Sequence, residues 1–453
     1  MARKVTVLAP CGMLGYGIPE ESFAEGLRRD PDVIAVDGGS TDPGPYYLGA
    51  GVCYTNRNMV KRDLAIMLKA GFERNIPVLV GSAGGGGGKP HLAWTVEIAR
   101  EICRENGYHF RVALIEGELE KDWLREQIRE GKTRSFETDW ELTEQEVDRA
   151  SRVVAQMGPE PFVKALDDGA DLILAGRASD PAVMAAYPLR LGFDPGVAIH
   201  MGKILECGAA AAYPRHGTDS LLGFVYDDCF MVEPPNPNKV CTVASVAAHT
   251  LYERSDPFQS HWPGGLVDLT GSRFEQHDER TVKISGTTFH KSDDYWVKLE
   301  GAARIGYRTI TIAGTRDPIL LANFDQYEAN VRERIASTLP HLTDSDYRLI
   351  YHVYGRDGVM GKLEPQKEIT SHELGLVIEV VATTEEVSKT VLAIARSLSL
   401  HSSYPGRKAI AGNLAFPFSP SDIGVGDVYE FNVYHLLRLD DPVAPFPIRY
   451  EEW

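Results

Sequence analysis

The sequence predicts an α/β fold, with an N-terminal mostly parallel sheet carrying helices on both faces and a C-terminal mixed α+β domain. Three observations carry this. Short apolar runs alternate with longer helical stretches through the first 175 residues, strand-like runs become more frequent from about Leu221, and a proline-rich segment, EPPNPN at 233–238, follows that change.

In order, the strand runs are 5–9, 33–36, 78–80, 112–115 and 172–175, most of them β-branched. Between them the apolar spacing is helical over 20–29, 60–74, 91–106, 119–129 and 159–168. Repeated strand then helix makes a parallel sheet, whose ligands bind at the carboxyl ends of the strands. Strand patterns at 221–225, 281–284, 295–299, 307–313, 349–353, 376–381 and 428–434, with helical stretches at 320–337 and 384–400, build the second domain. The expected organisation is an α/β domain over 1–232 with the Gly-rich loops, a linker at 233–238 and an α+β domain over 239–453. Three prolines in the linker neither continue a helix nor pair centrally in a sheet.

A chain of 453 residues with 43% hydrophobic and 25% charged residues can bury a substantial core, which excludes intrinsic disorder. The formal charge of −17, from 47 Lys plus Arg against 64 Asp plus Glu, argues against nucleic acid or an anionic membrane as the main partner. No window has the apolar length of a membrane helix, and the first ten residues lack the apolar core of a signal peptide, so a cytoplasmic protein is expected. The six cysteines, at 11, 53, 103, 207, 229 and 241, form no CxxC pair and are read as mostly reduced and buried.

Five segments can carry chemistry. In IAVDGGSTDPGPYYLG (34–49), Asp37 and Asp42 flank Gly38, Gly39, Ser40 and Thr41, so amides and hydroxyls can converge on an anion beside a carboxylate; the plainer reading is a surface turn. In VLVGSAGGGGGKPH (78–91), Ser82, Gly84 and Gly85 let the backbone approach a ligand closely, while a bare connector is the alternative. The spacing is not that of a P-loop, because Lys89 is followed by Pro90. In LAGRASDP (174–181), Arg177 can clamp a carboxylate, or Asp180 simply caps a helix. In HMGKILECG (200–208), His200, Lys203 and Cys207 share a helix face with Glu206 at its edge, a candidate acid/base cluster or else a packed core histidine with a structural ion pair. In VKLEGAARIGYRTITIAGTRDP (297–318), Lys298 and Glu300 point to one face of a strand and Arg308 follows as an acid-binding candidate; a surface ladder pair is the alternative.

Taken together, GYGIPEESF (15–23), VDGGSTDPGPYYLG (36–49), VKRDL (60–64), VGSAGGGGG (80–88), HMGKILECGA (200–209), CTVASVAAHTLYE (241–253), VKLEGA (297–302), GYRTITIAGTRDP (306–318) and GNLAFPFSPSDIG (412–424) resemble the acyclic terpene utilisation family, AtuA type. The resemblance runs over nearly the whole chain. It implies a place in the degradation of citronellol and geraniol through branched acyl-CoA esters, with a small companion protein beside some relatives, and it supplies no catalytic residue to carry over.

The resulting expectation is a catabolic carbon–oxygen lyase of hydratase or dehydratase type, or an isomerase, acting on a branched or hydroxy carboxylic acid or its CoA thioester. His200, Lys203, Lys298, Glu300 and Cys207 are its catalytic candidates. Asp37, Gly38, Gly39, Ser40, Asp42, Ser82, Gly84, Gly85, Arg177 and Arg308 are its binding candidates. The alternatives are an acyl-CoA transferase or thioesterase using Cys207, or a non-catalytic subunit that binds acyl-CoA or a nucleotide for a partner enzyme. No cofactor is required, and no metal is assigned. Asp37 and Asp42 would favour a hard cation such as Mg²⁺ but are too few ligands for it. The expected partners are a small-molecule acid or acyl-CoA, the small companion protein and further copies of the chain in a homo-oligomer, with no nucleic acid and no membrane.

Overall fold

The computed structural model describes residues 3–137 and 139–453; Met1 and Ala2, the start of the expected first domain, lie outside the described residues. Two compact units form, one from residues 1–303 with 431–453 and one from 304–430.

The first unit is built on a ten-stranded sheet in the order Arg273–Gln276, Val282–Ser285, Cys229–Glu233, Leu221–Val225, Val5–Ala9, Val33–Asp37, Val78–Gly81, Leu172–Ala175, Arg111–Ile115, Ile448–Glu452. The middle five are parallel, and the flanking strands join antiparallel. Alternate residues explain the two layers of helices. Val7, Val33, Ala35, Leu79 and Ile173 face one core with Phe162, Met184, Val197 and Met201. Leu8, Ile34, Val36, Val80 and Leu174 face the other with Leu64, Met67, Val96 and Ile102. Each such side chain, sealed from water, stabilises the fold by roughly 1.5–3 kcal/mol before the entropy of ordering it is counted. Strands apolar on both faces can only sit inside a covered sheet.

The segment 233–238 runs within this first unit. The Arg280 guanidinium donates to the carbonyls of Pro234 (2.5 Å) and Asn236 (2.7 Å), and Asn236 donates to Asp219 (2.7 Å). The strands on either side of it extend the same sheet, so the change of pattern near Leu221 marks an antiparallel extension of that sheet. Locally the two look alike, since an antiparallel edge and a new β-rich domain have the same short-range spacing.

The second unit pairs Leu374–Ala382 with Tyr347–Tyr354 on one side and with residues 307–315 of strand Tyr295–Thr315 on the other. Helices Phe324–Thr338 and Glu385–His401 bury Tyr327, Val331, Ile335, Val391 and Leu392 against Leu376, Ile378 and Val380. Thr384 caps the second helix through the Val387 amide. The α/β first part and mixed α+β second part are those the sequence predicts. Among the described residues no helix is long and apolar enough to cross a membrane.

Candidate functional site

Three parallel strand ends of the first unit deliver one polar cluster. Asp37 ends strand Val33–Asp37, Ser82 follows Val78–Gly81, and Arg177 lies two residues beyond Leu172–Ala175. Glycine is needed for this approach. A Cβ on Gly38 would lie 2.7 Å from the Ser82 carbonyl oxygen, and one on Gly87, whose φ is +64°, would lie 2.2 Å from the Arg177 amide nitrogen. The Gly-rich run therefore packs backbone against backbone. The Gly38 amide donates to Gly81 O and the Gly85 amide to Ser82 O, so these two N–H groups are used inside the protein. Ser82 itself holds a left-handed φ of +45°, a strained conformation for a residue with a side chain.

Glu300 is the centre. Its strand, Tyr295–Thr315, pairs Glu300 with Val154, which directs the carboxylate at the strand ends. Oε2 accepts from Arg177 Nε at 2.8 Å, and Oε1 accepts from Thr41 Oγ1 at 3.0 Å, Gln156 Nε2 at 3.1 Å and Lys298 Nζ at 3.2 Å. Its side chain is 2% exposed. Burial alone would raise its pKa, but Arg177 and Lys298 outweigh burial and hold the carboxyl at about 2. Arg177 also donates through Nη1 to Ser82 Oγ, the Ala178 carbonyl and Asp180 Oδ1, each at 3.1 Å. Arg177 does clamp carboxylates, as its sequence context suggested, but they are the protein's own.

Lys298 and Glu300 share a strand face as expected. The ammonium is 22% exposed in its side chain and lies 4.2 Å from the Tyr434 ring centre. Burial opposes its charge, yet Glu300 and Tyr434 together raise its pKa. Lys298 is thus a fixed cation, suited to stabilising negative charge on a substrate rather than to removing a proton.

A second group adjoins this one. The carboxyls of Asp180, Glu206 and Glu253 offer oxygens within 4.8 Å of one another, and Lys203 Nζ donates to Glu206 Oε1 at 2.5 Å and to Glu253 Oε2 at 3.1 Å. A hard divalent cation would suit three such carboxylates, but here the Lys203 ammonium is the counter-ion. Asp42 is exposed and accepts from Ser40 Oγ at 2.8 Å, whereas Asp37 is buried. Burial of Glu206, reinforced by Asp180 and Glu253 against the opposing pull of Lys203, raises its pKa to about 8. The same causes, burial first and then Asp180 and Glu206, raise Asp37 well above the carboxylate range although Arg177 opposes them. Asp37 Oδ1 and Glu206 Oε2 are both buried without a hydrogen-bond partner. The contacts from Lys298 through Glu300 and Arg177 to Asp180 thus end within 4.8 Å of the Glu206–Lys203–Glu253 group, and the two form one cluster of charge.

The other candidates take different roles. His200 is fully buried. Its two ring nitrogens meet Thr287 Oγ1 at 2.8 Å and Thr250 Oγ1 at 3.1 Å, and burial lowers its pKa to about 3, so the ring is a neutral core residue. Cys207 follows Glu206, but burial and then the neighbouring Glu206 push its thiol up to about 12, away from the thiolate a nucleophile needs. Arg308 belongs to the second unit and is paired with Glu379 at 2.6 Å. Asp180 opens helix Asp180–Arg190, yet its side chain makes no capping bond and instead accepts from Arg177. Sequence reasoning placed Thr41 among hydroxyls that could meet an anion, and the anion it meets is Glu300; it missed Gln156, Glu253 and Tyr434, which carry no local signature.

The strand ends of the parallel sheet thus converge on buried carboxyls whose surroundings lower one pKa, that of Glu300, and raise those of Glu206 and Asp37. The family model for the acyclic terpene utilisation family protein AtuA matches residues 56–216 and 226–417, and the chain belongs to that family. Comparison with curated proteins and with solved structures gave no significant match.

Proposed function

We propose that the chain is an enzyme of acyclic terpene utilisation that adds or removes water at a branched hydroxy carboxylic acid or its CoA thioester, a carbon–oxygen lyase. The family supports the role in terpene utilisation. The single observation that carries the chemistry is the divergent ionisation within one cluster: Glu300 is held as a carboxylate while Glu206 and Asp37 are pushed towards the protonated form. Environments that drive neighbouring titratable groups apart are how one site keeps an acid and a base together near neutral pH. Glu206 is the general acid that protonates the departing hydroxyl. Asp180, more open than Glu206 with 31% of its side chain exposed, and favoured as a carboxylate by Arg177 and Lys203 against a burial that raises its pKa, receives the proton taken from the carbon next to the carbonyl. Lys203 keeps its charge and steadies whichever of the two is ionised, and Lys298, fixed by Glu300, faces the negative charge that develops on the carbonyl oxygen.

The reading as a nucleotide-binding subunit draws no support from Gly38 and Gly85, whose amides are internally bonded. The test is turnover of branched hydroxy acids and their CoA thioesters, followed by the absorbance of the unsaturated product. Glu206→Gln should lower kcat by about 100-fold or more with the melting temperature retained, and Lys298→Ala should lower kcat as far when assayed below its own melting temperature, which falls because Glu300 loses a counter-charge. Full activity in Glu206→Gln, or no turnover of either substrate class by the wild type, contradicts the proposal.

A further inference from the structure

Arg254 stands just after helix Val243–Thr250, and nothing in its sequence context marks it. Its Nε and Nη1 are buried with no hydrogen-bond partner, and among the described residues the guanidinium makes no ion pair. A guanidinium cannot discharge itself, and although Arg254 as a whole is only part-buried, shielding two of its nitrogens without a partner is unfavourable. Its surroundings identify the gap. Arg254 directly follows Glu253, whose carboxyl oxygen lies within 4.8 Å of those of Glu206 and Asp180, and Glu206 Oε2 is itself buried and unpartnered. A buried donor set and a buried carboxyl oxygen, near each other yet not bonded, leave room in chemical terms for a ligand that is an anion at one end and bears a hydroxyl at the other.

The segment carrying Arg254 is also incomplete by its own standards. Leu251, Tyr252 and Phe258 are exposed although apolar, and Glu253 holds a left-handed φ of +58°. Tyr252 reaches back over Lys203, whose Nζ lies 5.4 Å from its ring centre.

We infer that Arg254 binds the free carboxylate of the substrate, carried on the segment 251–258, whose apolar side chains cover the hydrocarbon chain. This rests on the acid/base reading of Glu206 and adds to it the anionic class of the ligand. The carboxylate pairs with Arg254 and the hydroxyl meets Glu206.

Calorimetric titration of wild type, Arg254→Gln and Arg254→Lys tests this with citronellate and citronellol, which share one branched chain and differ at the carboxylate, and with inorganic phosphate as a second oxyanion. Citronellate should bind the wild type about 10-fold or more tighter than citronellol. Arg254→Gln should lose that preference while keeping its affinity for citronellol, and Arg254→Lys should keep part of it. Phosphate should not compete. Equal citronellate affinity in wild type and Arg254→Gln overturns the inference and leaves the role of Glu206 to its own turnover test. No binding of citronellate to the wild type, or phosphate binding in its place, also overturns it. Should both variants fail to fold, protection of Arg254 in the wild type from phenylglyoxal by citronellate, read by peptide mass spectrometry, decides the matter: protection supports the assignment and undiminished labelling contradicts it.

Discussion

Glu300→Gln is the substitution whose consequences the structure sets most fully. The wild-type carboxylate takes four hydrogen bonds and faces two cations, and its pKa falls from 4.5 to about 2. A difference of about 2.5 pH units corresponds to roughly 3 kcal/mol of folding free energy, undiminished by solvent because the group is buried. A second route gives the same scale: removing one partner of a buried pair costs about 3–5 kcal/mol, because Arg177 would keep only Asp180 as counter-charge. Glutamine also turns an amide donor towards groups that are all donors. The pH dependence carries the sign. A carboxyl with a depressed folded pKa stabilises the fold above its unfolded pKa, and this is lost as pH falls through the folded one. The gap between wild type and variant should therefore be about 3 kcal/mol at neutral pH and narrow by about 1.4 kcal/mol per unit below about pH 4.5. Urea unfolding at pH 7, 4.5 and 3.5, with the amplitude of each transition checked for two-state behaviour, measures it. A gap below about 1 kcal/mol at neutral pH, or one that stays constant down to pH 3.5, refutes the claim that Glu300 is the charged centre of the network.

Further expectations concern the same residues. If Glu206 acts as an acid, kcat/KM should fall above about pH 8, where its carboxyl ionises, and Glu206→Gln should remove that limb from whatever activity is left. The same raised pKa makes the folded state bind a proton that the unfolded chain releases, so Glu206 should make stability decline as pH rises from 4.5 to about 8, and Glu206→Gln should flatten that decline. His200→Ala should cost about 2–4 kcal/mol by leaving two buried threonine hydroxyls and a cavity, and NMR of the wild-type imidazole should show no protonation between pH 7 and 5. Cys207→Ser should keep most of the activity, and the thiol should react slowly with iodoacetamide at neutral pH, since it titrates at about 12. Gly87→Ala should lower the melting temperature by several degrees and abolish turnover, because its Cβ cannot fit beside the Arg177 backbone.

Much of the fold was legible because its strands are hydrophobic on both faces and its helices on one. Val5–Ala9 and Leu172–Ala175 fall where the apolar runs place them, and the helix over Glu385–His401 follows its spacing closely. The compact units were not legible, because strands Cys229–Glu233 and Val282–Ser285 pair across the sheet by contacts that local spacing does not encode. The site divides in the same way. Asp37, Ser82 and Arg177 were found because strand ends in a parallel sheet are where ligands bind, and Lys298 with Glu300 because side chains two apart share a strand face. Glu253, Arg254 and Tyr434 come from distant parts of the chain, and only folding brings their charge and aromatic surface to the others. His200 shows the converse: its polar helix face looked chemical, but two threonines from elsewhere satisfy it.

Infrared difference spectroscopy of the folded protein at neutral pH, comparing wild type with Glu206→Gln and Asp37→Asn, tests the central claim without needing a substrate. The account predicts a protonated-carboxyl band in the wild type that Glu206→Gln or Asp37→Asn diminishes and Glu300→Gln leaves in place. A wild-type spectrum with no protonated carboxyl at neutral pH, or a band lost only in Glu300→Gln, contradicts the division of this site into carboxyls held protonated and a carboxylate held ionised.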